Sequence, residues 1–166
     1  MRKTSTLLMA SLTAALLFSA CSKQPGPSGE TAMKAPSPDN VDIEAAKKLK
    51  MPVVIYYVGV TKDDNGISRP VVYFVNTSPK PVNIATYYVA GKTADGKTVT
   101  LWADDYERVP PGKPSTKGML GGGWKDANVT CVEIEQAEMH IDGQSHRFIK
   151  DNINQLFQDP SINRCE

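Results

Sequence analysis

Residues 129–148 read VTCVEIEQAEMHIDGQSHRF. Polar and apolar side chains alternate there with the period of two that a strand with one buried face imposes. Val132 and Ile134 take one phase, Glu133 and Glu135 the other. Past Gln136 the phase slips: Ala137, Met139 and Ile141 are apolar, Glu138 and His140 polar. One inserted residue, a β-bulge near Gln136, restores a single buried face. Asp142-Gly143 then signals a two-residue hairpin loop. Such a loop sets Ile141 opposite Gln144, Glu138 opposite Arg147 and Ala137 opposite Phe148. It predicts a Glu138–Arg147 salt bridge outside and an aromatic ring inside.

Upstream the same period recurs. Val53–Val60 (VVIYYVGV), Val71–Asn76 (VVYFVN) and residues 82–91 read as strands. A hairpin loop over 61–68, with Asp63-Asp64-Asn65-Gly66, joins the first two, and Thr77-Ser78-Pro79-Lys80-Pro81 turns into the third. Ala94-Asp95-Gly96 leads to a fourth strand near 97–102, and Pro110-Pro111-Gly112 to a weak one around 115–120. Residues 41–50 predict a short helix, capped by Asp39 or Asn40 and stopped by Pro52. Asp151–Phe157 predicts a short C-terminal helical turn. Short strands separated by Gly, Pro and Asp signal an all-β sandwich or barrel. The pattern resembles immunoglobulin-like and fibronectin-type-III-like antiparallel β-sandwiches, without the Trp between two cysteines of antibody domains. The fold expected is therefore mainly β, and such a likeness carries no function.

The N-terminus is built differently. Arg2 and Lys3 precede an apolar run from Leu7 to Phe18, followed by Ser19-Ala20-Cys21. A basic start, a short apolar core and small residues make a secretory signal. With Cys21 directly after the small residues, the stretch resembles the lipobox of bacterial lipoproteins, with Phe18 where that family usually has Leu, Val or Ile. The resemblance implies cleavage before Cys21, a diacylglycerol on its sulfur and, as a rule, a further acyl chain such as palmitate on its amine. Two or three chains anchor firmly where one is marginal. Ser22, standing where an inner-membrane retention signal would have Asp, implies sorting to the outer membrane, facing the periplasm. The organisation expected is a signal peptide over 1–20, the lipidated Cys21 with a Pro/Ser/Gly linker over 21–40, and one domain over 41–166.

Of 19 basic residues, Arg2 and Lys3 lie in the signal-like segment, which leaves 17 against 18 acidic ones. No basic stripe offers the electrostatic footprint that nucleic acid requires. With Cys21 taken by lipid, Cys131 and Cys165 remain, and an exported compartment favours a bridge between them. Closing a loop of about 35 residues contributes roughly 3–4 kcal/mol in the chain-entropy treatment. No Cys-x-x-Cys spacing supports a redox pair.

No catalytic constellation is legible. His140 and His146 fall on opposite faces of the hairpin, so they share no metal. Glu133 and Glu135, about 7 Å apart on one face, have the residue types of a glycosidase pair, though a solvated strand face explains them more simply. Gly121-Gly122-Gly123-Trp124 lacks the Gly-Lys-Ser/Thr ending of a phosphate loop. It reads as a close backbone approach or as a mobile loop presenting Trp124. Asp63-Asp64-Asn65-Gly66 lacks the spaced ligands of a calcium loop. Asp104, Asp105 and Glu107 read as an acidic loop flanked by Trp102, Tyr106 and Arg108; it suits a binding edge, though a plain surface loop with Trp102 packed inward is the simpler reading. Tyr56 and Tyr57, adjacent in sequence, are expected on opposite faces.

In the long strands both phases are apolar, so a second face is covered, either by the helix and tail of the chain itself or by a partner. The candidate binding surface comprises Tyr57, Tyr73, Tyr88, Trp102, Tyr106, Arg108 and Trp124. The expectation is a lipid-anchored, non-enzymatic binding or structural module of the cell envelope, without cofactor. It would be held to the membrane through Cys21 and engaged with an envelope protein. The alternative is a glycan- or small-ligand-binding protein or hydrolase of the envelope.

Overall fold

The computed structural model describes residues 36–165. The readings on the signal-like segment, Cys21 and most of the linker lie outside the described residues.

Two antiparallel sheets stack on one core. In the first, β1 (Val53–Lys62) pairs with β2 (Ser68–Asn76). In the second, β3 (Val82–Thr93), β4 (Thr98–Asp105), β5 (Val129–Ile141) and β6 (Gln144–Phe148) lie in the order β4-β3-β5-β6. Val53, Ile55, Val72 and Phe74 of the first sheet meet Tyr87, Val89, Ile134, Ala137 and Met139 of the second in a single apolar cluster.

The hairpin register matches the expected one at Ile141–Gln144, Glu138–Arg147 and Ala137–Phe148. Asp142 and Gly143 both have positive φ, 51° and 77°, as the favoured two-residue loop requires. The β5 bulge lies one residue before the slip seen in the sequence. Tyr88 pairs with Gln136 and Val89 with Ile134, so Glu135 has no partner on β3. Val132 and Ile134 before the bulge, and Ala137, Met139 and Ile141 after it, are all buried.

The helical elements are only short turns. α1 spans Ile43–Lys48, and its cap is Asp42, whose carboxylate accepts from the Ala45 amide at 2.8 Å. That cap lies two or three residues later than Asn40 or Asp39. Lys50, at φ 56°, ends the turn two residues before Pro52. Pro38–Asn40 form a 3₁₀ turn, and Ile153–Leu156 another. Gln158 ties the two ends of the domain together. Its side chain donates to the Asn40 carbonyl and accepts from the Asp42 amide, both at 2.9 Å.

Other segments of the chain bridge to both strands of the first sheet. Past β6 the tail crosses to β1, where Phe157 pairs with Ile55, and Ile153, Leu156 and Phe157 join the core. Cys165 then bonds to Cys131 with Cα atoms 5.7 Å apart. On the other side, residues 113–124 run along β2. No regular strand forms over 115–120; single bridges link Pro114 to Val75, Met119 to Val71 and Trp124 to Ser68. An exposed edge invites pairing with foreign strands; residues 113–124 bridge β2 at three points, and Phe157 bridges β1 at Ile55.

Candidate functional site

Along β4 the core-facing phase is Val99, Leu101, Ala103 and Asp105, and the outer phase is Thr98, Thr100, Trp102 and Asp104. Trp102 thus leaves the core by register alone. Tyr88 lies directly opposite it on β3, with ring centroids 5.0 Å apart at a tilt of 46°. Trp102 is 52% exposed and Tyr106, just past β4, 71% exposed. The Tyr106 hydroxyl donates to Asp104 at 3.0 Å, and that carboxylate raises the phenol's pKa. Asp104 and Asp105 belong to β4 rather than to an acidic loop.

The polar side of this face is settled by diagonals. Arg147 donates to the Gln136 side chain at 2.9 Å. Glu138 accepts from Ser145 at 2.6 Å and lies 3.3 Å from His140. The expected Glu138–Arg147 ion pair does not form, although the two residues are opposite each other. Strand twist brings diagonal side chains within reach, and shorter partners claim Glu138. Tyr88, Trp102, Tyr106, Gln136 and Arg147 therefore share a solvent face with two exposed aromatics.

Tyr57 and Tyr73 belong to a separate cluster on the first sheet. The β1 register slips between Ile55 and Tyr57. This bulge overturns the alternation expected of Tyr56 and Tyr57, and both rings come to about 6 Å from Tyr73. Tyr73 is buried, and a Cβ on Gly118 would lie 2.3 Å from its ring. Glu107 holds the covering loop, accepting from the Thr116 amide and hydroxyl and from the Lys117 amide. Burial first, then neighbouring phenol and Glu107 charge, raise the hydroxyl pKa values of Tyr56 and Tyr73. Tyr73 is a packing residue and is not available for contact.

Trp124 is not presented to solvent either. It is 8% exposed and belongs to the core cluster, against Gly91. The triple glycine is a close backbone approach. Gly121 donates to the Asp104 carbonyl of β4 at 2.7 Å, and a Cβ on Gly123 would meet the Ser68 carbonyl of β2 at 2.8 Å. Arg108 is exposed, with no hydrogen bond or ion pair among the described residues. Glu133 accepts from the Cys165 amide at 2.6 Å, and Glu135 is the bulged residue without a partner on β3. Asp63 is engaged by Arg69 at 2.7 Å and by the amides of Asn65 and Ile67, which lower its pKa. Among the described residues no group of three His, Cys, Asp or Glu is placed to hold a metal, and no helix is long and apolar enough to cross a membrane.

Sequence reasoning missed a groove of about 1400 Å³ at the α1 end of the domain. Ile141, Phe148 and Phe157 lie beneath it; Lys50, Met51, Lys80 and His146 border it. Gln144 and His146 occupy the core-facing phase of β6, yet both are exposed. Polar residues on a core phase were the signal that the first sheet does not reach this far.

No protein-family model, curated protein or solved structure matches the chain. The functional reading rests on the sequence and the geometry.

Proposed function

We propose that this chain is a lipid-anchored binding module of a bacterial cell envelope, not an enzyme, with an immunoglobulin-like sandwich as its body. It is held on the periplasmic side of the outer membrane through Cys21. The lipobox resemblance supports the anchor. The Cys131–Cys165 bridge is in keeping with an oxidising compartment. The observation that carries the binding role is the exposed Trp102, packed against half-buried Tyr88 and joined by exposed Tyr106, on the outer face of the four-stranded sheet. Exposed aromatics beside Arg and Gln fit the anchor residues of protein interfaces. An envelope protein is the partner this surface suits.

In-cell crosslinking of the full-length chain, followed by mass spectrometry, tests this. A Trp102→Ala/Tyr88→Ala variant serves as control. One dominant protein, lost in the variant, supports the reading. Crosslinks to glycan alone, or crosslinks unchanged by the variant, overturn it. Mass analysis of the mature N-terminus checks acylation of Cys21.

A further inference from the structure

We infer that the α1 end of the domain, around the groove, is a docking surface for an anionic phospholipid face. The inference rests on the lipid-anchor reading above for its biological setting. Its physical basis lies in the described residues.

Charge is the first argument. The groove is bordered by Lys47, Lys50, Lys80 and His146, with Asp142 as the one acidic residue. Glu44 ties Lys47 at 2.8 Å, and Asp142 lies 3.4 Å from Lys80. Lys48 and Lys50 have no ion-pair partner among the described residues. Between them stands Leu49, 73% exposed, the most exposed large apolar side chain among the described residues. A protruding Leu between two uncommitted amines matches an interface where phosphates lie above an apolar layer.

Chain placement is the second. The described chain starts at Pro36 and reaches α1 at Ile43. Gln158, which clasps Asn40, directly follows groove residue Phe157. Asn40, near the start of the described chain, is therefore tied beside the groove. Fifteen residues link Cys21 to Pro36, and a chain of that length keeps the two within about 50 Å even at full extension. A chain anchored at Cys21 holds this end against the lipid at high effective concentration, so weak contacts suffice.

The test is vesicle flotation of residues 21–166 carrying Cys21→Ser, which retains the whole described core. Vesicles are phosphatidylcholine alone, or with about 30% phosphatidylglycerol. Binding is expected only to the anionic vesicles, falling at least about fivefold in Lys48→Glu/Lys50→Glu, in Leu49→Asp and in 0.5 M salt. Lys125→Glu, remote in sequence and not a groove residue, should bind as the parent does. Near-ultraviolet dichroism checks that each variant is folded. No binding to anionic vesicles, or equal loss in Lys125→Glu, overturns the inference. An unacylated Cys21 in cells with vesicle binding intact would sink the anchor alone. An acylated Cys21 without vesicle binding would sink the docking surface alone.

Discussion

Asn163 satisfies both backbone hydrogen-bonding groups of Ile134 with one side chain. Its amide oxygen accepts from the Ile134 N–H at 2.6 Å and its amide nitrogen donates to the Ile134 carbonyl at 2.9 Å. β6 pairs with β5 only as far back as Ala137, so Asn163 stands in for the missing neighbour.

Replacing Asn163 with Ala leaves two edge groups of β5 to water or to nothing. A loss of about 1–3 kcal/mol is expected from unpaired, half-buried polar groups. Urea unfolding of Asn163→Ala against the parent measures it. A change under about 0.5 kcal/mol would mean that water takes over both bonds.

Asp105 makes stability depend on pH. It is 6% exposed, and its Oδ2 has no hydrogen-bond partner among the described residues. Burial raises its pKa; the Glu107 amide, donating to Oδ1, opposes this only in part. The folded state thus holds the proton more tightly than the unfolded chain does. Its contribution is fully present below the ordinary carboxylate range and is lost as pH rises through the raised folded value. Asp105→Asn should therefore gain steadily on the parent as pH is raised from about 4 to about 7. Thermal melts of both proteins across that range read the difference, and parallel curves would exclude it.

Gly118 and Gly96 separate backbone strain from collision. Both have positive φ, 61° and 82°. A Cβ at Gly96 meets open space, whereas one at Gly118 strikes the Tyr73 ring. Gly96→Ala should cost about 1 kcal/mol, the left-handed penalty alone. Gly118→Ala should cost at least about 2 kcal/mol more, since ring or loop must move. Paired denaturation midpoints give the difference directly.

The two tryptophans should part company in the same assay. Trp124→Ala empties a core position, with about 3–5 kcal/mol lost. Trp102→Ala removes an exposed ring and its contact with Tyr88, about 1 kcal/mol. Equal losses would contradict the opposite burial of the two side chains.

Much of this was legible because it is local. The β5–β6 register follows from a period of two and one Asp-Gly, both confined to twenty residues. The partners of Arg147 and Glu138 were not legible, because twist decides which diagonals close. The Tyr56 bulge left no trace in a stretch where both phases are apolar. Residues 113–124 hid their course for another reason: they meet β2 at Pro114, Met119 and Trp124, with no repeat between those bridges. Trp102 could have been placed correctly, since Val99, Leu101 and Ala103 already claim the inner phase of β4.

The Gln158 clasp determines how the domain bears mechanical load. Tension arriving at residue 36 meets Asn40 and Asp42, both held by Gln158. From there it passes along seven residues of tail to Cys165 and, through a covalent bond, to Cys131. Cys131 lies on the part of β5 that pairs with β3, before the stretch that β6 reaches. A tug on the leading end is therefore shared, through that covalent bond, with the β3–β5 pairing on the far side of the core cluster.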